Sequence, residues 1–314
     1  MRSYTLIAPA KVNLYLEIIG SRPDGYHELA MILQSIELAD GIKLEANGVE
    51  SIRLRCDNPQ IPGDKSNLAY RASELMIKEF HDSYAKYGGV DITLHKCIPV
   101  AAGLAGGSTD AAAVLVGIDL LWKLGLTRSE LEELGAQLGS DVPFCIGGGT
   151  AIATRRGEIL SPLSGLTDVY IVLAKYRSSS VSTAWAYNTY RSLFSETYIK
   201  DTESLAARAN AVNSGEIVQA ILHKDAKEIA EKMHNDLEKV VLPEYPQVVQ
   251  LKETFAKYDI LGTMMSGSGP SVFALCQSQE QAEKVKLCVR EEIPSEDLEL
   301  FVTKLVNHGI QVVQ

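Results

Sequence analysis

The stretch Cys97-Ile98-Pro99-Val100-Ala101-Ala102-Gly103-Leu104-Ala105-Gly106-Gly107-Ser108-Thr109-Asp110 carries the densest chemical information in the chain. Its three glycines sit in a small-residue loop between an alternating run, Val90–His95, and an apolar stretch, Ala111–Val116. Strand, glycine loop and helix N-terminus in that order make a site for anions. Unpaired backbone N–H groups and the positive end of the helix dipole converge there. Glycine lets the main chain approach a polyphosphate because no Cβ intervenes. The loop is not a Walker A motif, since no Gly-Lys-Ser/Thr follows it, and its glycine spacing does not match the dinucleotide fingerprint. It predicts a phosphate cradle of another kind.

Three further segments hold groups that could work with such a cradle. Lys11 lies in Pro9-Ala10-Lys11-Val12-Asn13-Leu14, among apolar neighbours. A lysine there could stabilise developing negative charge, or it could simply mark a strand edge. Asp141 lies in Gly139-Ser140-Asp141-Val142-Pro143-Phe144. On its own it reads as a turn or cap residue; beside a phosphate cradle and a cation it would orient an acceptor hydroxyl for phosphoryl transfer. Ser266-Gly267-Ser268-Gly269-Pro270-Ser271 is a second glycine loop, either a tight strand connection or a lid over phosphates or substrate.

The elements that must position these groups are legible in outline. Leu14–Ile19 and Ile32–Leu38 read as strands around a Pro23-Asp24-Gly25 turn, and Ile42–Leu44 and Ile52–Cys56 alternate with period two. Residues 67–87 read as a helix, followed by the Val90–His95 strand and a buried helix ending at Trp122. Thr127-x-x-Glu130 is a capping box opening a helix to Leu138. Strands are expected at Val169–Ala174, at Ser271–Leu275 and, last, at Leu298–Val302. The Pro162–Gly165 stretch divides the 314 residues into 1–162 and 163–314, each mixing helices and strands, an α+β class. The chain is 46% apolar and 22% charged, with a mean hydropathy of +0.01. Its formal charge of −10 argues against broad nucleic-acid or anionic-membrane binding, so no nucleic acid and no membrane is expected as a partner. Five scattered cysteines and an N-terminus without a signal-peptide core point to a cytoplasmic protein.

Taken jointly, these motifs resemble the GHMP kinase superfamily, which combines a Pro-x-Lys-like segment, a central Pro-x-x-x-Gly-Leu-x-(Gly/Ala)-(Gly/Ser)-Ser loop and a C-terminal glycine loop. Arg22-Pro23-Asp24-Gly25-Tyr26-His27-Glu28-Leu29 and Asn235-Asp236-Leu237-Glu238 add to the match, which runs in order from residue 9 to residue 271. The Asp-Gly-Tyr-His segment points to the branch whose acceptor is CDP-methylerythritol. The resemblance implies a ribosomal S5 domain 2-like N-terminal half, binding ATP, and a ferredoxin-like C-terminal half on the substrate side. It implies ATP- and Mg²⁺-dependent phosphorylation of the acceptor's 2-hydroxyl in the non-mevalonate route to isoprenoid precursors, by a monomer or homodimer.

Carried over by position, Asp141 and Lys11 match the catalytic pair, and Asn13 a neighbouring substrate contact. Tyr26 and His27 match the residues that hold the cytosine. Tyr187, in Ser182-Thr183-Ala184-Trp185-Ala186-Tyr187, is expected as its second aromatic wall, with Trp185 as the alternative. Asn67, Lys96 and Pro99 match positions near the nucleotide; Asn67 on its own would also cap the helix that follows it. Gly103, Leu104, Gly106, Gly107, Ser108 and Thr109 match the triphosphate loop, with the Ser108 hydroxyl as an approach to Mg²⁺. Ala101, Ala102 and Ala105 stand where many members carry glycine. Asp110, an acid so close to phosphates, calls for Mg²⁺ or a solvent-facing orientation.

Overall fold

The computed structural model describes residues 3–313. Two long antiparallel strands, β1 (Ser3–Ser21) and β2 (His27–Ala46), form its spine. Sequence periodicity breaks them into shorter pieces because register shifts at Pro9/Ala10, Asn13/Tyr15 and Ile18/Gly20 interrupt the alternation. The strands absorb these as bulges and continue. β3 (Ile52–Cys56) follows, then α1 (Leu68–Glu79) and α2 (His81–Tyr87). The single helix expected over 67–87 is two, because Phe80 leaves the helical region at φ −125°, ψ 49°. β4 (Val90–His95) leads through the glycine loop into α3 (Gly106–Trp122). α4 (Arg128–Leu138) opens on the Thr127–Glu130 capping box, as expected. α5 (Val142–Gly147), β5 (Thr150–Arg155) and β6 (Ile159–Leu163) complete this half.

The second half opens with β7 (Tyr170–Tyr176) and α6 (Thr183–Phe194), then α7 (Thr202–Ala211), α8 (Glu216–His223) and α9 (Ala226–Lys232). β8 (His234–Asn235), α10 (Glu238–Glu244), α11 (Pro246–Ala256), β9 (Gly262–Met265) and β10 (Val272–Cys276) come next. α12 (Gln279–Glu292), β11 (Leu298–Lys304) and β12 (Gln311–Val312) end the chain. The order β11-β7-β10-β9 is an antiparallel sheet belonging wholly to this half. The larger sheet runs β12-β1-β2-β4-β3, with β5 and β6 branching from β2. β12 therefore follows the strand expected to be last; two residues are too few to show a period. It pairs with β1 at Leu6–Ile7, and β8 pairs in parallel at Tyr15–Leu16, so both halves bond to the same strand.

α3 explains why the loop before it stays put. Ala111 to Leu115 are fully buried, with Ile118, Leu121 and Trp122 closing the same core. A helix apolar on all sides belongs inside a protein, and its burial anchors the first turn that an anion would meet. Among the described residues, no helix is long and apolar enough to cross a membrane.

Candidate active site

Lys11 and Asn13 share one face of β1 by strand alternation, and both are buried. Lys11 Nζ donates to Asn13 Oδ1 at 2.8 Å and lies 3.6 Å from Asp141 Oδ2. The strand-edge reading of Lys11 is half right: its backbone N–H faces an edge, where it donates to Leu104 O of the glycine loop at 3.1 Å. The cap reading of Asp141 fails. It stands at the N-cap position of α5, yet its side chain caps nothing and is turned toward Lys11.

The two glycine loops meet beside this pair. Ser266 Oγ donates to Gly103 O at 3.1 Å. Gly103 has φ +73°, and a Cβ there would lie 2.2 Å from Ser266 O. A Cβ on Gly267, at φ +56°, would lie 3.3 Å from Asn13 Oδ1 and 3.5 Å from Lys11 Nζ. The second loop is braced from behind, since Asn235 Nδ2 donates to Met265 O and Gly267 O, both at 2.8 Å. Glu238 accepts the Met265 N–H. Ala105 enters α3 in the left-handed region at φ 59° and offers no side-chain cap, so the first-turn N–H groups carry no competing side-chain acceptor. Ala101 is also left-handed, at φ 51°, while Ala102 is buried.

A cavity of about 770 Å³ joins these parts. Lys11, Asn13 and Asp141 line it, as do Pro99, Gly103, Leu104 and Gly106, then Gly107, Ser108, Gly267 and Ser268. Thr109 does not: one helical step past Ser108 its side chain is fully buried, which removes it from the triphosphate-facing set. Asn67 lines the cavity and also serves as a cap, accepting from the Ala69 N–H and donating to Pro62 O, both at 2.9 Å.

Lys96 and Asp110 take a form the sequence did not suggest. Asp110 does not face solvent; it is buried, and its Oδ2 accepts from Lys96 Nζ at 2.6 Å. The same ammonium pairs with buried Asp40, which also accepts the N–H groups of Cys97 (2.6 Å) and Ile98 (2.8 Å). Burial opposes the charge on Lys96, but the two carboxylates more than restore it and hold its pKa above the ordinary value. Burial and the neighbouring Asp40 push Asp110 up, against the pull of Lys96. The signal for Asp40 was available: it shares the inward parity of Ile42 and Leu44, where an acid needs a partner.

At the far end, Tyr26 stands 54% exposed on the turn between β1 and β2. His27 is buried, with its ring centroid 5.1 Å from that of Tyr187 on α6. Burial, with Arg191 nearby, lowers the His27 pKa to about 4, so the ring is neutral near pH 7. Its Nε2 has no hydrogen-bond partner among the described residues. Tyr187 lines the cavity, whereas Trp185, two residues earlier on α6, packs against Tyr245 at 5.5 Å. Arg156 and Arg191 line this end too and carried no sequence signal, being ordinary charges on a hairpin turn and a helix.

For a divalent ion the protein offers little. Among the described residues, no cluster of three or more His, Cys, Asp or Glu side chains is placed to hold one. Ser108 lines the cavity, and Asp110 Oδ1 is buried without a partner. Magnesium riding on phosphate oxygens needs only one or two protein oxygens, and the donor set fits that mode.

Comparisons with known proteins place the chain in a family. The model for the GHMP kinases N terminal domain matches residues 67–149, and that for the GHMP kinases C terminal matches 217–295. A 4-diphosphocytidyl-2-C-methyl-D-erythritol kinase of Nostoc punctiforme is 70% identical over 313 residues, 99% of each chain. The chain belongs to the 4-diphosphocytidyl-2-C-methyl-D-erythritol kinase family of GHMP kinases. A relative of the same name in Synechocystis is 57% identical, covering 100% of this chain and 99% of its own. The crystal structure of a 4-(cytidine 5'-diphospho)-2C-methyl-D-erythritol kinase superposes with a TM-score of 0.73 at 28% identity, covering 96% of this chain and 98% of its own. A homoserine kinase from Cytophaga hutchinsonii reaches 0.71 at 20% identity, covering 100% and 98%, and so shares the fold. The chain is accordingly an α+β GHMP kinase.

Proposed function

We propose that this protein transfers the γ-phosphoryl group of ATP to the 2-hydroxyl of 4-diphosphocytidyl-2-C-methyl-D-erythritol, releasing ADP. The observation that carries the reading is the ammonium–carboxylate pair of Lys11 and Asp141, 3.6 Å apart at the junction of two glycine loops. Residues 1–162 form the ATP-binding half and 163–314 the substrate-side half. The triphosphate lies along Gly103–Ser108, held by main-chain N–H groups and the dipole of α3. Asn67 and Pro99 border the nucleotide. Lys96 acts there through its bonds to Asp40 and Asp110, which tie the loop's first residues to β2 and α3.

The acceptor's cytosine stacks between Tyr26 and Tyr187, and neutral His27 supplies a ring nitrogen for a hydrogen bond. Clamping the base delivers the distant hydroxyl to Asp141, and because phosphoryl transfer has a loose transition state, this positioning supplies most of the rate. Asp141 accepts the hydroxyl proton. Lys11, aimed by Asn13, stabilises the oxygen as it gains charge. The Ser108 hydroxyl would hold a magnesium ion brought in with ATP, which would supply neutralisation of the phosphate charge.

Asp141→Asn keeps shape and removes the base. Turnover falls by about 10²–10⁴-fold while ATP affinity stays at its original value. Coupled ADP-release assays with 4-diphosphocytidyl-2-C-methyl-D-erythritol, homoserine and mevalonate as acceptors test the assignment; equal turnover on the CDP-free alcohols rejects it.

A further inference from the structure

The cavity is lined by four cations, and two of them are already spent. Lys11 serves Asn13 and Asp141, and Lys96 is saturated by Asp40 and Asp110. Arg191 and Arg156 remain, and both grip the turn that carries Tyr26. Arg191 Nη2 donates to Gly25 O at 2.6 Å, tying α6 to that turn. The guanidinium of Arg156 lies 5.1 Å from the centre of the Tyr26 ring. Among the described residues its ion-pair partner is Glu158, at 3.5 Å, and its side chain is 30% exposed; Asp24 also feels the arginine's charge. The other acids at this end, Asp24 and Glu28, are both held by Arg22, at 3.2 and 2.8 Å.

A guanidinium stacked on an aromatic face keeps its N–H edge free for an anion, and its planar fork matches two phosphate oxygens. In a protein of net charge −10, a diphosphate entering this end needs such a local cation. We infer that Arg156 binds the diphosphate of the acceptor and so selects a nucleoside-diphosphate alcohol over an uncharged nucleoside, while Arg191 is a positioning residue that holds Tyr26 and Tyr187 as one clamp. This rests on the acceptor assigned above. Arg156 takes the charge because it lines the cavity beside the base-stacking ring. Arg191 has one nitrogen committed to Gly25, and its Nε is buried without a partner.

Calorimetric titration of the full chain with cytidine and with CDP separates the two roles. The wild type binds CDP more tightly than cytidine. Arg156→Gln weakens CDP by about 10–100-fold, the fold-change of losing a hydrogen bond to a charged group, and leaves cytidine unchanged. Arg156→Lys recovers part of the difference, since charge returns without the fork. Arg191→Gln weakens both ligands alike. Unaltered ATP affinity shows that each variant is folded. If Arg156→Gln shifts CDP and cytidine equally, or shifts neither, the inference is wrong although the acceptor assignment stands. If the wild type binds neither ligand, the acceptor assignment falls and takes the inference with it.

Discussion

At one end of the cavity the groups offered to a ligand are main-chain N–H donors in the first turn of α3, held by a buried helix and by contacts between two glycine loops. At the other end they are side chains, Tyr26 and His27 from one turn and Tyr187 from α6, with Arg156 and Arg191 around them. The backbone-built end depends on conformation, which many sequences can supply, and it belongs to a fold shared with a homoserine kinase at 20% identity. The side-chain-built end depends on residue identity and on a few cross-links between separate segments. Side-chain substitutions can therefore alter the second end without disturbing the backbone donors of the first.

Substitutions at the two ends should separate accordingly. The largest effect is expected from Gly103→Ala, where a left-handed φ of +73° coincides with a 2.2 Å approach to Ser266 O. Strain and clash together cost roughly 2–5 kcal/mol, and the loops part. Unfolding midpoints in urea and ATP titration should both fall; wild-type values in both would mean that the loops are not rigidly joined. His27 sharpens the other side. Its pKa of about 4 in the fold lies below the ordinary 6.5, so under pH 6.5 the unfolded chain takes up the proton first. Stability therefore declines as pH drops from 6.5 to 4, by on the order of 3 kcal/mol, and is unaffected by this group above 6.5. Urea unfolding at a series of pH values should show that this acid-side loss is reduced in His27→Gln.

Tyr187→Ala removes one of the two rings proposed to stack on the base. The acceptor KM should rise about tenfold, in line with the worth of base–aromatic stacking, with the KM for ATP unchanged. A matching rise for ATP would mean that the two ends are not independent. The smallest effect is expected at Ala105→Gly. Relieving its left-handed φ should raise stability by roughly 0.5–1 kcal/mol, read as a small upward shift of the melting temperature.

How much of this was legible depended on how far apart the interacting groups lie. The end of α3 at Trp122, the Thr127–Glu130 capping box and the β4 strand followed from local periodicity and caps, because those signals are complete within a few residues; α3 itself begins at Gly106, five residues before the expected Ala111, since its N-terminus carries no side-chain cap. The division of residues 67–87 into two helices was not legible, since Phe80 breaks no propensity rule. The pairing of Asp110 with Lys96 was not legible, because Lys96 lies fourteen residues away and their shared partner Asp40 in another strand. Thr109 looked equivalent to Ser108 by type, and only the helical rotation that buries it tells them apart.

The amino-acid order alone settled which residue types were available to chemistry: glycines where the backbone must approach an anion, one lysine and one aspartate in otherwise apolar settings, and a Tyr-His pair on a turn. Those are properties of single residues and their neighbours, governed by sterics and desolvation at short range. Tertiary packing decided that Lys11 meets Asp141, that Trp185 turns to Tyr245 while Tyr187 turns to His27, and that two arginines converge on one turn. Contacts between residues 60 or more positions apart arise from how sheets and helices bury their apolar faces together, and no local pattern encodes that outcome.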